Sequence, residues 1–306
     1  MSDPGRVLAV DVGGTWTKAA VVEGGPEDPA VRARRRVRTP RCADGTENAE
    51  AVVALVAELA ARFAERDHGP VEAVGVVVPG IVQDGVGVHS VNLGWRDYPF
   101  REALAKAVGA PVAFGHDVAA AGLAEWRLGA ARGLTDVVVM PIGTGIASAL
   151  ILGGRPLTGG YAGEIGHVDI GHGEQCPCGQ RGCLDHVASA ASVARRFGER
   201  SGRTVRGSAE VLRAARAGDR VAAEVWDEAV TALTRGVLLL ATLLGPQRVV
   251  LGGGLALAGE ALTGPLNRRL TEQITFQRRP ELRCAAFGAE SGCIGAALLA
   301  WEAVAP

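Results

Sequence analysis

Cys176, Cys178 and Cys183 lie in the run Cys-Pro-Cys-Gly-Gln-Arg-Gly-Cys, downstream of His167. Three thiolates and one imidazole can close a tetrahedral Zn²⁺ site of the structural type. Gly179 and Gly182 let so short a loop fold back around an ion. Buried structural thiols or a disulfide are the alternatives, and three cysteines this close in a reducing compartment favour metal. The use of such a site would be to fix the loop that presents Glu164, His167 and Asp185.

A second set of residues suits phosphate. Asp11-Val12-Gly13-Gly14-Thr15 closes a turn after a buried apolar run. Glycines let backbone N–H groups approach an anion with no Cβ between, and Thr15 adds a hydroxyl. Asp11 is suited to Mg²⁺, directly or through water. Alone, this is equally an ordinary tight hairpin. Two more turns, Gly143-Thr144-Gly145 and Gly252-Gly253-Gly254, each follow an apolar strand. Three such turns favour one nucleotide site split among them. Lys18 and Lys106 are the only lysines, and neither stands in the Gly-Lys-Ser/Thr setting of a P-loop. No Gly-x-Gly-x-x-Gly opens a helix after the first strand, and the protein-kinase signatures are missing.

Transfer of a phosphoryl group to a hydroxyl needs a base. Asp117 sits where a short strand ends and a helix begins, the crevice position that ligands favour in α/β proteins. An Asp there is also a common helix N-cap. Glu164 and Asp185, both in glycine-rich settings, suit sugar hydroxyls, and Asn92 can add an amide contact.

The elements that must position these residues alternate between strand and helix, which predicts an α/β fold. Val7–Val10 and Ala19–Val22 form a hairpin around the first glycine turn. Thr46 caps a helix from Glu47, with Val52, Leu55, Val56, Leu59 and Phe63 at helical spacing. Ala73–Val78 and Val112–Phe114 are strands, and Val118–Leu128 is a helix. Val137–Met140 and Ile146–Leu152 repeat the strand, glycine turn, strand plan, which suggests two related halves. Glu224–Leu244 is a long helix, Val249–Leu251 a strand and Cys293–Ala303 the last helix. The first domain is expected over residues 1–116 and the second over 117–293, with the helix of 294–306 returning to the first.

A net charge of -1 makes no case for nucleic acid or a membrane surface. The Arg-rich run of Arg32, Arg34, Arg35, Arg36 and Arg38 alternates with Ala and Val and reads as one solvated strand face. No signal peptide and no membrane-length apolar run is visible, so the expected location is the cytoplasm.

Taken together, the motifs resemble the ROK family of sugar kinases and sugar-responsive repressors. The match runs from Asp11 to about Gly295. It rests on Asp11–Thr15, Pro79-Gly80, Asn92-Leu93-Gly94-Trp95, Asp117, Gly143–Gly145, Gly163-Glu164-Ile165-Gly166-His167, the cluster Cys176–Cys183 and Gly252–Gly254. The Glu-Ile-Gly-His segment with its cysteine partner is the specific part.

The resemblance implies an actin-like, ribonuclease H-like ATPase fold of two domains with a cleft between them. It implies ATP with Mg²⁺, and Zn²⁺ on His167, Cys176, Cys178 and Cys183. It makes Asp117 the base, puts Gly80, Asn92, His116, Glu164, His167 and Asp185 on the sugar, and groups Lys18 with the donor-binding turns. Family members are commonly dimers or tetramers. The family's glucokinases usually have Asn-Asp where this chain has His116-Asp117, and Glu where it has Asp185. The function expected is therefore ATP-dependent phosphorylation of a hexose primary hydroxyl, with glucose first. The alternatives are an amino sugar, a sugar-like cyclitol, or a sugar-sensing regulator without catalysis. The family's repressors carry an N-terminal helix-turn-helix, for which the six residues before the first strand leave no room.

Overall fold

The computed structural model describes residues 5–65, 69–91 and 93–305. The chain divides into two compact units. One runs to Leu128 and adds Thr158–Tyr161 and the segment from Ala289. The other comprises Gly129–Leu157 and Ala162–Gly288. The change of unit thus falls after Leu128, where the sequence reading put it at Asp117.

The first unit is built on β1 (Val7–Val12), β2 (Trp16–Glu23), β3 (Ala30–Arg38), β4 (Ala73–Val78) and β8 (Val112–His116), in the order β3-β2-β1-β4-β8. β1 and β4 are buried at every position because helices cover both faces. Leu8, Val10, Val74 and Val76 pack on Val52, Val56 and Leu59 of α1 (Gly45–Phe63), with Phe100 and Leu104 of α2 (Phe100–Val108). Phe100 stacks on Phe114, with ring centroids 4.9 Å apart. Alternation along the strands turns Gly75 to the opposite face. There α10 (Ser291–Val304) packs on β1, β4, β8 and α3 (Asp117–Arg127). That packing explains why α3 stays with the first unit. A small sheet of β5 (Ile81–Gln83), β6 (Val86–His89) and β7 (Arg96–Tyr98) completes it.

The second unit repeats the plan with β9 (Val137–Pro141), β10 (Ala149–Leu152), β11 (Arg155–Pro156), β12 (Arg248–Gly252) and β13 (Glu281–Cys284), in the order β11-β10-β9-β12-β13. In each sheet an antiparallel trio shares its last strand with a parallel trio. The related halves read from the two glycine-turn hairpins thus have the same strand order. The core centres on α7 (Arg220–Leu244), which buries Val225, Ala229, Leu233, Val237 and Leu240. Around it lie α4 (Leu184–Ala188), α5 (Ala190–Ser201), α6 (Ser208–Arg216), α8 (Gly253–Ala256) and α9 (Glu260–Gln273).

Some boundaries differ from expectation for local reasons. Asp44, not Thr46, caps α1: its Oδ1 accepts from Thr46 N and Glu47 N at 2.8 and 3.2 Å. α7 starts at Arg220 because the Asp219 carboxylate accepts from Ala222 N. β10 starts only at Ala149, since Ile146 forms an isolated bridge with Ile142. On edge strand β3, Arg32, Arg34, Arg36 and Arg38 are exposed, while Arg35 is half-buried because alternation along the strand turns it to the other face. A charged edge of this kind discourages strand addition. Among the described residues no helix is long and apolar enough to cross a membrane.

α10 meets its neighbours through glycine. A Cβ at Gly295 would lie 2.0 Å from Ala120 O, and one at Gly75 would lie 1.9 Å from Ala296 O. Helix propensity alone would favour Gly295→Ala by about 1 kcal/mol, but the added methyl would force α10 off α3. The expected outcome is a net loss of about 1–3 kcal/mol, measured by urea unfolding.

Candidate functional site

In the first unit, Asp11, Pro79-Gly80 and Asp117 share one edge of the sheet. β1, β4 and β8 are parallel, with Asp11 in register with Val77 and Val78 with His116. The three chain segments therefore leave the sheet together at its carboxyl end, where open α/β sheets bind ligands.

Asp11 is nearly buried, and its Oδ2 accepts from Lys18 Nζ at 3.0 Å. Lys18 also donates to Ala289 O at 2.9 Å. Burial works against the charged ammonium, but the charge and hydrogen bond of Asp11 outweigh it and raise the Lys18 pKa. The Gly13-Gly14 turn closes with Gly13 N donating to Trp16 O at 3.0 Å. Thr39 Oγ1 donates to Gly13 O and Arg41 Nη2 to Gly14 O, each at 2.6 Å. These bonds occupy the turn's carbonyls. Thr15 is exposed beside them.

Asp117 is the first residue of α3, one past the N-cap position that His116 holds. Its Oδ1 accepts from the next residue, Val118 N, at 2.7 Å. His116 Nε2 lies 3.2 Å from the same oxygen. Burial pushes the imidazole down to about 4, so it is neutral near pH 7. Asn92 lies outside the described residues.

In the second unit two of the three glycine turns are neighbours. β9 and β12 run parallel with Gly252 opposite Pro141, and Ile142 N donates to Gly252 O at 2.9 Å. Leu255 N returns a bond to Ile142 O at 3.0 Å, so Gly143–Gly145 and Gly252–Gly254 lie side by side.

The segment Gly163–His167 is pressed on Ile146 and Ser148, which lead into β10. Gly163, at φ 93°, accepts from Ser148 N at 2.7 Å. A Cβ there would sit 1.9 Å from Ser148 O, and one at Gly166 would sit 2.1 Å from Ile146 O. Only glycine permits this seating, which holds Glu164 and His167 at its surface. Packing around the Glu164 carboxyl raises its pKa, opposed by His167 and reinforced by Asp185. Burial likewise raises Asp185, against the Ile146 N–H and His167.

His167, Cys176, Cys178 and Cys183 come together, with their ligand atoms all within 4.8 Å of one another. Cys178 Sγ and Cys183 Sγ are 3.6 Å apart. That is far beyond a disulfide bond, and close to the edge of about 3.8 Å that Zn–S bonds impose on a tetrahedron. All these thiols are free, and His167 Nδ1 is buried with no hydrogen-bond partner. Burial and the Cys178 and Cys176 thiols push Cys183 up to about 12. A cation among these donors would relieve both the orphaned nitrogen and the crowded sulfurs, so the residues fit a metal.

Two contributions escaped the sequence reading. The start of α10 belongs to the Asp11 environment: a Cβ at Gly292 would lie 2.6 Å from Asp11 Oδ2. The glycine in Ser291-Gly292-Cys293 was the available signal. Arg41 braces the first turn from 27 residues away, and nothing in its local sequence marks it.

The ROK family profile matches residues 7–303. The glucokinase of Thermotoga maritima is 32% identical, over 98% of each chain. The N-acetylmannosamine kinase of Escherichia fergusonii is 30% identical, over 96% of this chain and 97% of its own. Among solved structures, a ROK family glucokinase from Streptomyces griseus in complex with glucose and AMPPNP is 30% identical. It superposes with a TM-score of 0.81, over 97% of this chain and 100% of that one. The fold is the actin-like ATPase fold of such kinases.

The depressed His116 pKa fixes a sign. The unfolded chain takes up the proton near pH 6.5, the folded chain only near about 4. Stability is therefore lost as pH falls through this window, and the full penalty is present below it. His116→Gln should lose less stability than the parent over the same window, by on the order of 2 kcal/mol. Urea unfolding at a series of pH values measures the difference.

Proposed function

The chain belongs to the ROK family, and from that membership we propose that it is an ATP-dependent kinase for the primary hydroxyl of a hexose, glucose first. The observation that carries the reading is Asp117, at the end of a parallel strand with a carboxylate bonded within its own turn. One Asp117 oxygen accepts the acceptor hydroxyl's hydrogen bond and takes its proton as the phosphoryl group arrives. Gly80, Asn92, His116, Glu164, His167 and Asp185 orient the acceptor. The turns Gly13-Gly14-Thr15, Gly143-Thr144-Gly145 and Gly252–Gly254 offer N–H and hydroxyl donors to the donor phosphates, and Lys18 adds a permanent positive charge. Mg²⁺ bound with ATP would neutralise charge building on the transferring group. Asp11 would hold it, directly or through water, in place of some of its contact with Lys18.

An amino-sugar acceptor is the second reading, favoured by the N-acetylmannosamine kinase relative at nearly full coverage. An ADP-release assay across hexoses, amino sugars and cyclitols separates the two. ADP release with no acceptor in the panel would overturn the kinase reading.

We assign structural Zn²⁺ to His167, Cys176, Cys178 and Cys183, supported by the sulfur spacing and the unpartnered His167 nitrogen. Its part is to hold the loop bearing His167, close to Glu164. Purified protein should carry about one Zn²⁺ per chain by elemental analysis. Cys178→Ala should lose the metal, melt at lower temperature and bind sugar more weakly. Metal-free protein of normal stability would refute the assignment.

Asp117→Asn keeps the shape and removes the basicity. A fall in kcat of about 10²–10⁴-fold is expected, with acceptor affinity little changed. Stopped assays and direct sugar titration measure the two separately. Near-normal kcat would take Asp117 out of the mechanism, as a purely capping Asp would predict.

A further inference from the structure

Asp185 enters the reading above as a sugar contact, yet its carboxylate is already engaged on its other side. Oδ1 accepts from Ile146 N at 2.7 Å. Ile146 directly follows Gly143-Thr144-Gly145, and a Cβ at Gly145 would lie 3.1 Å from the same Asp185 oxygen. The far end of the turn is tied to the same region, with Ala190 N donating to Gly143 O at 2.9 Å. Asp185 is the second residue of α4, and Ala190 opens α5. One short stretch, starting at Cys183 and ending at Ala190, thus grips both ends of a glycine-rich turn.

We infer that Asp185 is a positioning residue for the donor-binding turn, and that it couples the turn to the element that begins at the cysteine cluster. A bond from a carboxylate to a backbone N–H is charge-assisted and stronger than a neutral one. The turn carries two glycines, the residues that lose most conformational freedom when ordered. It is closed by the bond from Gly143 N to Gly145 O at 2.9 Å and by the isolated bridge between Ile142 and Ile146. Fixing Ile146 holds Gly145 and Thr144 in the conformation that offers their donors, so the ordering precedes the ligand. Gly166 completes the seat, with its backbone against Ile146 O and the Asp185 Cβ. A carboxylate that served only the sugar would have no influence on donor affinity measured without sugar.

The inference rests on the reading of Gly143–Gly145 as a donor turn, and the test separates the two. AMPPNP binding is titrated by calorimetry in the absence of sugar, and Ile146 amide exchange is followed by NMR. Asp185→Ala should raise the AMPPNP Kd about tenfold, the scale of one lost hydrogen bond to a charged group, and should speed Ile146 exchange. Asp185→Asn keeps an oxygen acceptor and should bind AMPPNP within about twofold of the parent. Gly145→Val serves as the control for the turn itself. If Gly145→Val weakens AMPPNP while Asp185→Ala does not, the positioning role is overturned and the donor turn stands. If neither variant changes AMPPNP binding, the donor-turn reading falls and takes the inference with it. Should Asp185→Ala fail to fold, the parent decides alone: an unprotected Ile146 amide refutes the inference, and a protected one that Asp185→Asn retains supports it.

Discussion

Around residues 143–148 backbone meets backbone with no side chain between, and the second unit's candidate site hangs on that contact. A single methyl at Gly163 or Gly166 would stand about 2 Å from a carbonyl oxygen of Ser148 or Ile146. Such packing leaves no slack. Glu164 and His167 are seated on the backbone of Ile146 and Ser148, just before β10, and Ile146 N donates in turn to Asp185. His167 is itself one of the four residues of the cysteine cluster, which gathers residues further along the same loop. A glycine in each of these places is a condition for the arrangement, which is why the Gly-Glu-Ile-Gly-His segment carries so much of the family resemblance.

The first unit reaches its own arrangement differently. Asp11, Gly80 and Asp117 are brought to one edge by three parallel strands in register, so long-range pairing does what local packing does in the second unit. α10 secures this sheet from one face, and its first turn reaches Asp11. The start of α10 is therefore as much a part of the Asp11 environment as the turn after β1.

Much of this was legible in the sequence where the signal is local. The apolar runs of β1, β4, β9 and β12 marked buried strands, and the turns after β1, β9 and β12 were marked by glycine. The spacing of the cysteines, with His167 upstream, announced a cluster, and the structure brings the four residues together. What was not legible depends on partners far away in the chain. Asp44 outcompeted Thr46 as a cap because its carboxylate reaches two N–H groups, a choice left open by two capping residues with one glycine between them. Ile146 looks like a strand residue by hydropathy, but it bridges to Ile142 across the turn and bonds to Asp185 instead. Arg41 and Gly292 gained their roles from contacts that no periodicity encodes. The same holds for Asp117: its place was visible, but its bond within its own turn was not.

The scarcity of lysine noted at the outset has a practical side. Positive charge on this protein is almost entirely guanidinium, which does not react with acylating reagents at neutral pH. Of the two side-chain amines, Lys106 is exposed on the last turn of α2. Lys18 is partly buried, paired with Asp11 and held protonated. Only the unprotonated amine is nucleophilic, so an activated ester should discriminate strongly between them. The fold thus presents Lys106 as a selective side-chain handle for a fluorophore or surface tether, leaving the Asp11 environment unmodified.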